Sequence, residues 1–438
     1  IGRHAVLRGQ WEKSRAGSSP AFSTNVESYI MIKIFIILLS IIFSSESSLE
    51  ATTNGNYSGD DPNIYFSMYK TCLANDDIGC ASANLNKAIK LDSRNEDYKS
   101  LSFSLQDYLE LLNRANKTIE RELYQEAIRD YNNIISEYPD RALSYYKRGE
   151  IYRTLENYMD AIADFSKASE LNPNNEIYSK AIFSIAQRIS KEADQAAKRQ
   201  DYNMAIPKYL EAISYYPKFT QAYFNLAKSF FILTDYDNAK KYLLKNINVD
   251  SNQPQSLKML ADIYRKERNL SDAVIYYKKA VKVDPSYYKA YYSLATSLIS
   301  SDIEESKIYL KKVISINPNY EKAHETLGIL NMQLELFEDA TSNFLTSVSL
   351  NENNYKSYYL LAEIYNSKKD YQTAKDYAKE AIDKNKRGTL GAAWYHLGVA
   401  EKNLKNKAAA EDAFEIAKRD KDWRASAIYE LELLKKGK

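Results

Sequence analysis

Hydrophobic and polar positions follow one local pattern along this chain, repeated about ten times. A small residue recurs at Ala81, Ala127, Ala161, Ala205, Ala239, Ala273, Ser306, Ala340, Ala374 and Ala410. Three residues earlier a ring is common, as at Tyr124, Tyr158, Tyr202, Tyr236, Phe337 and Tyr371. Four residues later stands a large residue, such as Tyr131, Phe165, Tyr209, Leu243, Tyr277, Leu310, Phe344 or Phe414. Seven residues later the position is mostly small again, as at Ala88, Ala168, Ala212, Ala280, Ala381 and Ala417. Offsets of three, four and seven lie on one face of an α-helix. A second amphipathic stretch precedes each of these. Its signature is a large residue, often Leu followed by a small residue, then another large residue. Tyr223, Leu226-Ala227 and Phe230 show it, as do Tyr358, Leu361-Ala362 and Tyr365. Asn157, Asp235, Asn269 and Asp370 fall between the two stretches, where a short polar side chain caps the second helix. The pattern predicts pairs of helices, A then B, joined by short turns.

The long period is as regular as the short one. The small residues are spaced 46, 34, 44, 34, 34, 33, 34, 34 and 36 apart. Pro139, Pro173, Pro217, Pro285 and Pro318 fall at the ends of B helices. These residues resemble the tetratricopeptide repeat (TPR) family, whose 34-residue pattern places large–Leu–Gly–Tyr on helix A and Ala–Phe–Ala–Pro on helix B. The segment 142–175 carries it as Tyr145, Gly149, Tyr152, Tyr158, Ala161, Phe165, Ala168 and Pro173, departing only at Arg148, where the family has Leu. The resemblance covers about 62–424. It implies an all-α fold: a right-handed superhelical solenoid of about ten TPR hairpins, with a groove lined by A helices. The expected repeats are 62–94, 108–141, 142–175, 186–219, 220–253, 254–287, 288–320, 321–354, 355–386 and 391–424. A capping helix over 425–438, carrying Ala427, Ile428, Leu431 and Leu434, is expected to cover the last repeat.

The spacings of 46 and 44 exceed one repeat by 12 and 10 residues. Neither insert contains Pro or Gly, and both carry apolar residues at helical spacing: Leu101, Leu105, Tyr108 and Leu112 in one, Ala181, Ile185, Ile189 and Ala193 in the other. Elongated A helices are therefore expected. They would divide the chain into a first repeat (62–94), a segment 95–175 with an elongated helix, and the array 176–424.

Residues 31–51 read as a secretory signal peptide. Met31-Ile-Lys33 precedes a short apolar run ending at Phe43, with Ser45, Ser47 and Ala51 as small residues for cleavage. The run falls well short of the ~20 apolar residues that a membrane span needs. Cleavage would leave no stable span, whereas a retained signal would anchor the protein. A linker, 52–61, follows. Residues 1–30 precede the signal, where a signal peptide cannot act. Ala16-Gly17-Ser18-Ser19-Pro20-Ala21 back-translates to a sequence resembling the T-arm of a transfer RNA. The expectation is a non-native leader, with Met31 as the true start.

Composition narrows the chemistry. Sixty basic residues nearly cancel 58 acidic ones, which argues against a dedicated nucleic-acid surface. Twelve glycines and nine prolines in 438 residues argue against an all-β or collagen-like chain. Two cysteines and three histidines leave little for a metal site, and His324 and His396 fit the large positions of A helices. The chain has no Gly-rich phosphate loop or nucleophile motif, and almost no length outside the repeats for a catalytic domain. Neither an enzyme nor a cofactor is expected. Cys72 and Cys80 fall on helix A and at the start of helix B of the first repeat. They are either a disulfide stapling an end hairpin or two free thiols.

By resemblance, the second, fifth, ninth, twelfth and thirteenth positions of helix A face the groove. The fifth gives Tyr146, Phe224, Lys258, Tyr292, Glu325, Tyr359 and Tyr395. The ninth and twelfth add Glu150, Arg153, Lys228, Asp262, Arg265, Glu363 and Lys402. Of these, Tyr146, Arg153, Phe224, Lys228, Lys258, Arg265, Tyr292, Tyr359 and Tyr395 are the candidate partner contacts. Rings with mixed charge suit peptide recognition. The family's clamp for carboxylate tails needs a Lys and an Asn at set groove positions, and the pairs Tyr146/Glu150, Phe224/Lys228 and Lys258/Asp262 do not supply it. The expected function is a protein-interaction scaffold of a bacterial envelope, periplasmic or secreted. The alternatives are a module binding an envelope glycan, or an anchored accessory to a secretion or cell-wall enzyme.

Overall fold

The computed structural model describes residues 61–386, 388 and 390–436. The proposed leader, the signal peptide and the linker up to residue 60 lie outside the described residues. Among the described residues every regular element is an α-helix. The hairpins run α1 (Pro62–Ala74) with α2 (Ile78–Leu91), α3 (Glu96–Glu120) with α4 (Tyr124–Glu137), and α5 (Ala142–Thr154) with α6 (Tyr158–Leu171). Next come α7 (Glu176–Lys198) with α8 (Tyr202–Tyr215), α9 (Thr220–Ile232) with α10 (Tyr236–Val249), α11 (Pro254–Lys266) with α12 (Leu270–Val283), and α13 (Tyr288–Leu298) with α14 (Ile303–Ile316). The last are α15 (Glu321–Gln333) with α16 (Phe337–Leu350), α17 (Tyr355–Ser367) with α18 (Tyr371–Lys384), and α19 (Gly391–Asn403) with α20 (Lys407–Ala417), followed by a single helix, α21 (Arg424–Lys435). The two inserts appear as A helices of 25 and 23 residues, α3 and α7.

The chain divides into two compact units, one ending at Ser144 and one from Tyr145 onward. In the first, Tyr108 is fully buried, bonds Ser144 Oγ at 2.9 Å and meets the Tyr138 ring edge-on at 5.2 Å. Cys72 and Cys80 form a disulfide across the α1–α2 turn, with Cα atoms 5.6 Å apart. The second unit is a solenoid of packed helical hairpins with a small-residue core. Ala161, Ala205, Ala239, Ala273, Ser306, Ala340, Ala374 and Ala410 are all fully buried. Their size lets the A and B backbones approach closely, and α21 then buries Ala427, Leu431 and Leu434 against Phe414 and Ala417.

Size is matched across each hairpin. Gly149, Gly328 and Gly398 on A helices face Phe165, Phe344 and Phe414 on B helices. A Cβ on any of the three glycines would lie 2.6–2.7 Å from the ring. Where helix A carries Ala instead, the facing residue is Tyr, Leu or Ala. The three tyrosines at this position send their hydroxyls to the residue after the alanine: Tyr131 to Asn116 at 2.9 Å, Tyr209 to Asp194 at 2.5 Å and Tyr277 to Asp262 at 2.5 Å.

The A–B turns share one backbone device. Asp76, Glu122, Glu156, Gln200, Thr234, Arg268, Glu335, Lys369 and Lys405 all have φ between +56° and +65°, each five residues before the small B-helix residue. This left-handed step closes the A helix: Thr234 N–H donates to Phe231 O and Asp235 N–H to Phe230 O. The α13–α14 hairpin is one residue shorter from Ala295 to Ser306 than the others are between the matching positions, and it lacks the step: Asp302 N–H donates directly to Leu298 O. Asp235, Asn269 and Asp370 cap their B helices as expected from the sequence. Asn157 does not. Its amide nitrogen instead donates to the Asp160 carboxylate at 2.6 Å, and its carbonyl makes no cap bond.

Candidate partner-binding site

In the second unit, most side chains at the fifth, ninth and twelfth positions of the A helices are held by neighbours. Tyr146 packs on the rings of Phe165 (5.6 Å) and Tyr178 (5.2 Å). Arg153 bonds Glu150 at 2.6 Å and reaches Ser184 at 3.3 Å. Phe224 is half-buried in the cluster around Leu243 and Leu260. Lys258 pairs with Asp262 at 2.7 Å, and Arg265 lies 3.8 Å from the same carboxylate. Tyr292 meets Tyr320 edge-on at 5.1 Å and Thr326 at 3.3 Å. Tyr359 is half-buried beside Lys356 and Glu363, and burial raises its phenol pKa. Tyr395 is enclosed by Trp423, His396 and Phe414. Lys228 and Arg265 are the most open of the nine candidates.

These residues are not gathered into one pocket. One open recess, about 390 Å³, is lined by Asp194, Tyr209, Asn225 and Lys228 with the stems of α7, α8 and α9. Asp194 organises it, with its Oδ1 accepting from Tyr209 at 2.5 Å and from Asn225 Nδ2 at 2.8 Å. Of the lining residues, only Lys228 is among the partner contacts expected from the sequence; Tyr202 and Tyr209 are expected there as packing residues. Asp194 occupies the ninth position of an A helix, the register of Lys228 and Asp262, and that register was the signal that could have found it.

Charge at the ninth position is usually answered from within. Glu150 has Arg153, Asp262 has Lys258 and Arg265, and Asp194 has Tyr209 and Asn225. Glu363 has no such partner. Burial alone pushes its carboxyl pKa up, and His396 Nε2 lies 3.6 Å from it. His396 itself is 6% exposed, its Nε2 makes no hydrogen bond, and burial lowers its pKa to about 4. His324 is equally buried but bonds Pro318 O at 2.9 Å. Among the described residues no cluster of three or more His, Cys, Asp or Glu side chains is arranged to hold a metal.

The tetratricopeptide repeat model matches 142–175, and a second model of the same repeat matches 220–253, 255–287, 288–320 and 355–385. Each match falls on one A–B hairpin. These five hairpins are tetratricopeptide repeats. The TPR chain is 30% identical over 84 residues to the human E3 SUMO-protein ligase RanBP2, covering 19% of this chain and 3% of that one. It is 27% identical over 182 residues to the Drosophila melanogaster BBSome complex member BBS4 homolog, covering 39% and 33%. It therefore spans a third or less of the length of these relatives. A solved structure titled for functional characterization of Pseudomonas aeruginosa pilF aligns over 46% of the TPR chain and 90% of its own, at 19% identity and a TM-score of 0.41. The TPR fold supports a protein–protein interaction scaffold, and proteins of this repeat family are generally non-catalytic.

Proposed function

We propose that this TPR chain is a non-catalytic scaffold of a bacterial cell envelope, exported by residues 31–51, that holds protein partners along its A-helix face. The observation that carries the binding reading is the cavity around Asp194. Two successive A helices supply a carboxylate, an amide and a free ammonium to one recess, in the register where the repeat family meets its ligands. Polar groups fixed by internal hydrogen bonds around such a recess orient a guest without reorganising. The glycan alternative draws less support. Stacking on sugars needs an open ring face, and Tyr146, Tyr292 and Tyr395 already pack on other rings. A Cys72–Cys80 disulfide fits an oxidising compartment. Among the described residues no helix is long and apolar enough to cross a membrane.

The test is a crosslinked pull-down of the tagged 31–438 protein from its native cells, read by mass spectrometry. A small set of stoichiometric proteins, lost on Lys228→Glu with Arg265→Glu, supports the scaffold. Recovery of no enriched protein, or of partners indifferent to both changes, removes this face as the binding surface. N-terminal sequencing of the same material decides export: a chain starting at Met31 refutes cleavage.

A further inference from the structure

We propose that the solvent face of α10, α12 and α14 is a docking surface for an anionic lipid bilayer. The proposal goes beyond the scaffold reading, because it concerns B helices and uses no residue of the A-helix site. On a B helix the small residue and those four and seven after it face the core. The residues two, five, six and nine after it therefore point the opposite way. In α10, α12 and α14 every residue at those four places is exposed. Six of them are lysines that make no ion pair among the described residues: Lys241 and Lys245, Lys279 and Lys282, and Lys311 and Lys312. A seventh, Lys278, pairs with Glu305 at 2.8 Å. None of the residues at these places is acidic. What the lysines have instead is rings: Lys241 and Lys245 lie over Tyr242 at 5.4 and 5.5 Å, and Lys279 over Tyr276 at 4.6 Å.

The three helices are neighbours. Lys278 of α12 reaches Glu305 of α14, and α10 and α12 both touch the Tyr264 ring, through Lys240 at 5.9 Å and Tyr276 at 5.5 Å. Ile247 of α10 also packs into the core around Ala273 and Tyr277 of α12. The charge is confined to this stretch. At the same four places α16 carries no charge, and α8 has only Glu211. α18 has Asp376, Glu380 and Asp383 against Lys379. Helix dipoles do not account for the lysines, since Glu380 and Asp383 stand in α18 where Lys279 and Lys282 stand in α12. The near-neutral total of the chain hides this segregation. Like charges gathered without acids repel one another, and an anionic partner removes the repulsion. Leu244, Ile275 and Ile308 are exposed among the lysines, Ile308 by 64%. Ammoniums interleaved with aliphatic side chains match a bilayer, where lysines meet phosphate headgroups and aliphatic tips enter the acyl boundary. A nucleic acid gives those tips no matching surface, and the forked arginines that grip phosphates are absent from this face.

The probe is a vesicle of phosphatidylcholine with about one-third phosphatidylglycerol, mixed with the full chain, and the readout is trace acetylation of lysines mapped by mass spectrometry. Lys245, Lys279 and Lys312 are expected to be protected at least about tenfold by these vesicles and not by phosphatidylcholine alone, with the protection lost as salt rises. Lys191, Lys218 and Lys421, exposed elsewhere on the second unit, should react unchanged. Because the readout is local, attachment of the chain through residues 31–51 does not imitate it. Lys245→Gln with Lys279→Gln and Lys312→Gln should weaken docking on the order of a hundredfold, at about fivefold per lysine, and leave Lys241 and Lys282 reactive. A thermal melt confirms that this variant is folded. No protection by anionic vesicles, equal protection by neutral ones, or equal protection of Lys191, Lys218 and Lys421 would overturn the surface. An acidic protein captured in the pull-down and lost with the three glutamines, without protection by vesicles, would replace the bilayer with that protein. The two readings fail separately. Partners lost on Lys228→Glu with Arg265→Glu, without protection by vesicles, leave the scaffold standing and remove this surface. Protection without any captured protein does the reverse.

Discussion

Hairpins between residues 108 and 219 and those from 220 to 424 fill one core position with opposite chemistry. The position lies on helix A just before the small residue and faces a B-helix residue sixteen further along in the earlier group. In the later hairpins it is leucine every time: Leu226, Leu260, Leu294, Leu327, Leu361 and Leu397, all buried. The facing residue is often an aromatic that stacks within the hairpin, as Tyr242 does on Phe230 (5.7 Å), Tyr276 on Tyr264 (5.5 Å) and Tyr377 on Tyr365 (5.5 Å). In the earlier hairpins the position is charged, and so is its partner: Arg114 with Asp130, Arg148 with Asp164, and Glu192 with Lys208 in reversed polarity. The hairpin geometry accepts either solution provided both members change together. Arg148, the one departure of 142–175 from the repeat pattern, is explained by Asp164.

The largest expected effect comes from breaking one ion pair. Arg148 and Asp164 are joined by two bonds of 2.6 and 2.8 Å, and their side chains are 19% and 7% exposed. The carboxylate holds the guanidinium's pKa above its usual value. Asp164→Ala leaves that charge half-buried and should cost about 3 kcal/mol, whereas Arg148→Leu with Asp164→Tyr, the later solution, should be neutral or stabilising. Asp130→Ala, whose partner Arg114 is largely in solvent, should cost only about 0.5 kcal/mol. Urea melts with amide exchange resolved by hairpin give all three. A double variant as unstable as Asp164→Ala would show that the two solutions are not interchangeable.

Acid probes the last hairpin pair, where His396 is buried beside Leu397 with no partner for its Nε2. Its folded pKa, about 4, lies below the unfolded value of 6.5, so the folded state binds fewer protons. That contribution is complete above about pH 6.5 and fades as pH falls toward 4, by about 3 kcal/mol in all. His396→Phe should remove this part of the pH dependence of stability. An unchanged acid limb would mean that His396 does not titrate with unfolding. Next in size is Gly398→Ala, which drives a Cβ into Phe414 and should cost about 2 kcal/mol. Gly398→Ala with Phe414→Leu should recover most of it, since Ala227 faces Leu243 in just that way.

The fold was legible because its signal is local. A small residue with large ones at three and four residues' distance reports one helix face, and ten copies remove ambiguity. What escaped were pairings between faces. Arg148 and Asp164 are sixteen residues apart on different helices, so no single-helix period links them. Glu363 looked like Glu150, because both are glutamates at the ninth position. The difference stood three residues on, in Asn366 against Arg153, and the direction of the Asn366 amide appears only once α19 is packed beside it. The rings at Tyr146, Tyr292 and Tyr395 have the right register for a groove, but register does not say that Phe165, Tyr320 and Trp423 already lie against them.

A comparably small effect tests the turns. Nine of the ten described A–B turns place a side-chain-bearing residue at positive φ, and the α13–α14 hairpin, one residue shorter between its core residues Ala295 and Ser306, does not. Thr234, at φ +62°, is the least suited of the nine, because a β-branched side chain crowds the backbone there. Thr234→Gly relieves that strain but frees the unfolded chain, so the net gain should be about 0.5–1 kcal/mol. Ser301→Gly, at the matching place in the shortened hairpin, has no strain to relieve and should be destabilising by a similar amount. The opposite signs are the test: thermal melts in which both changes stabilise would mean that the left-handed step is not what distinguishes the two kinds of turn.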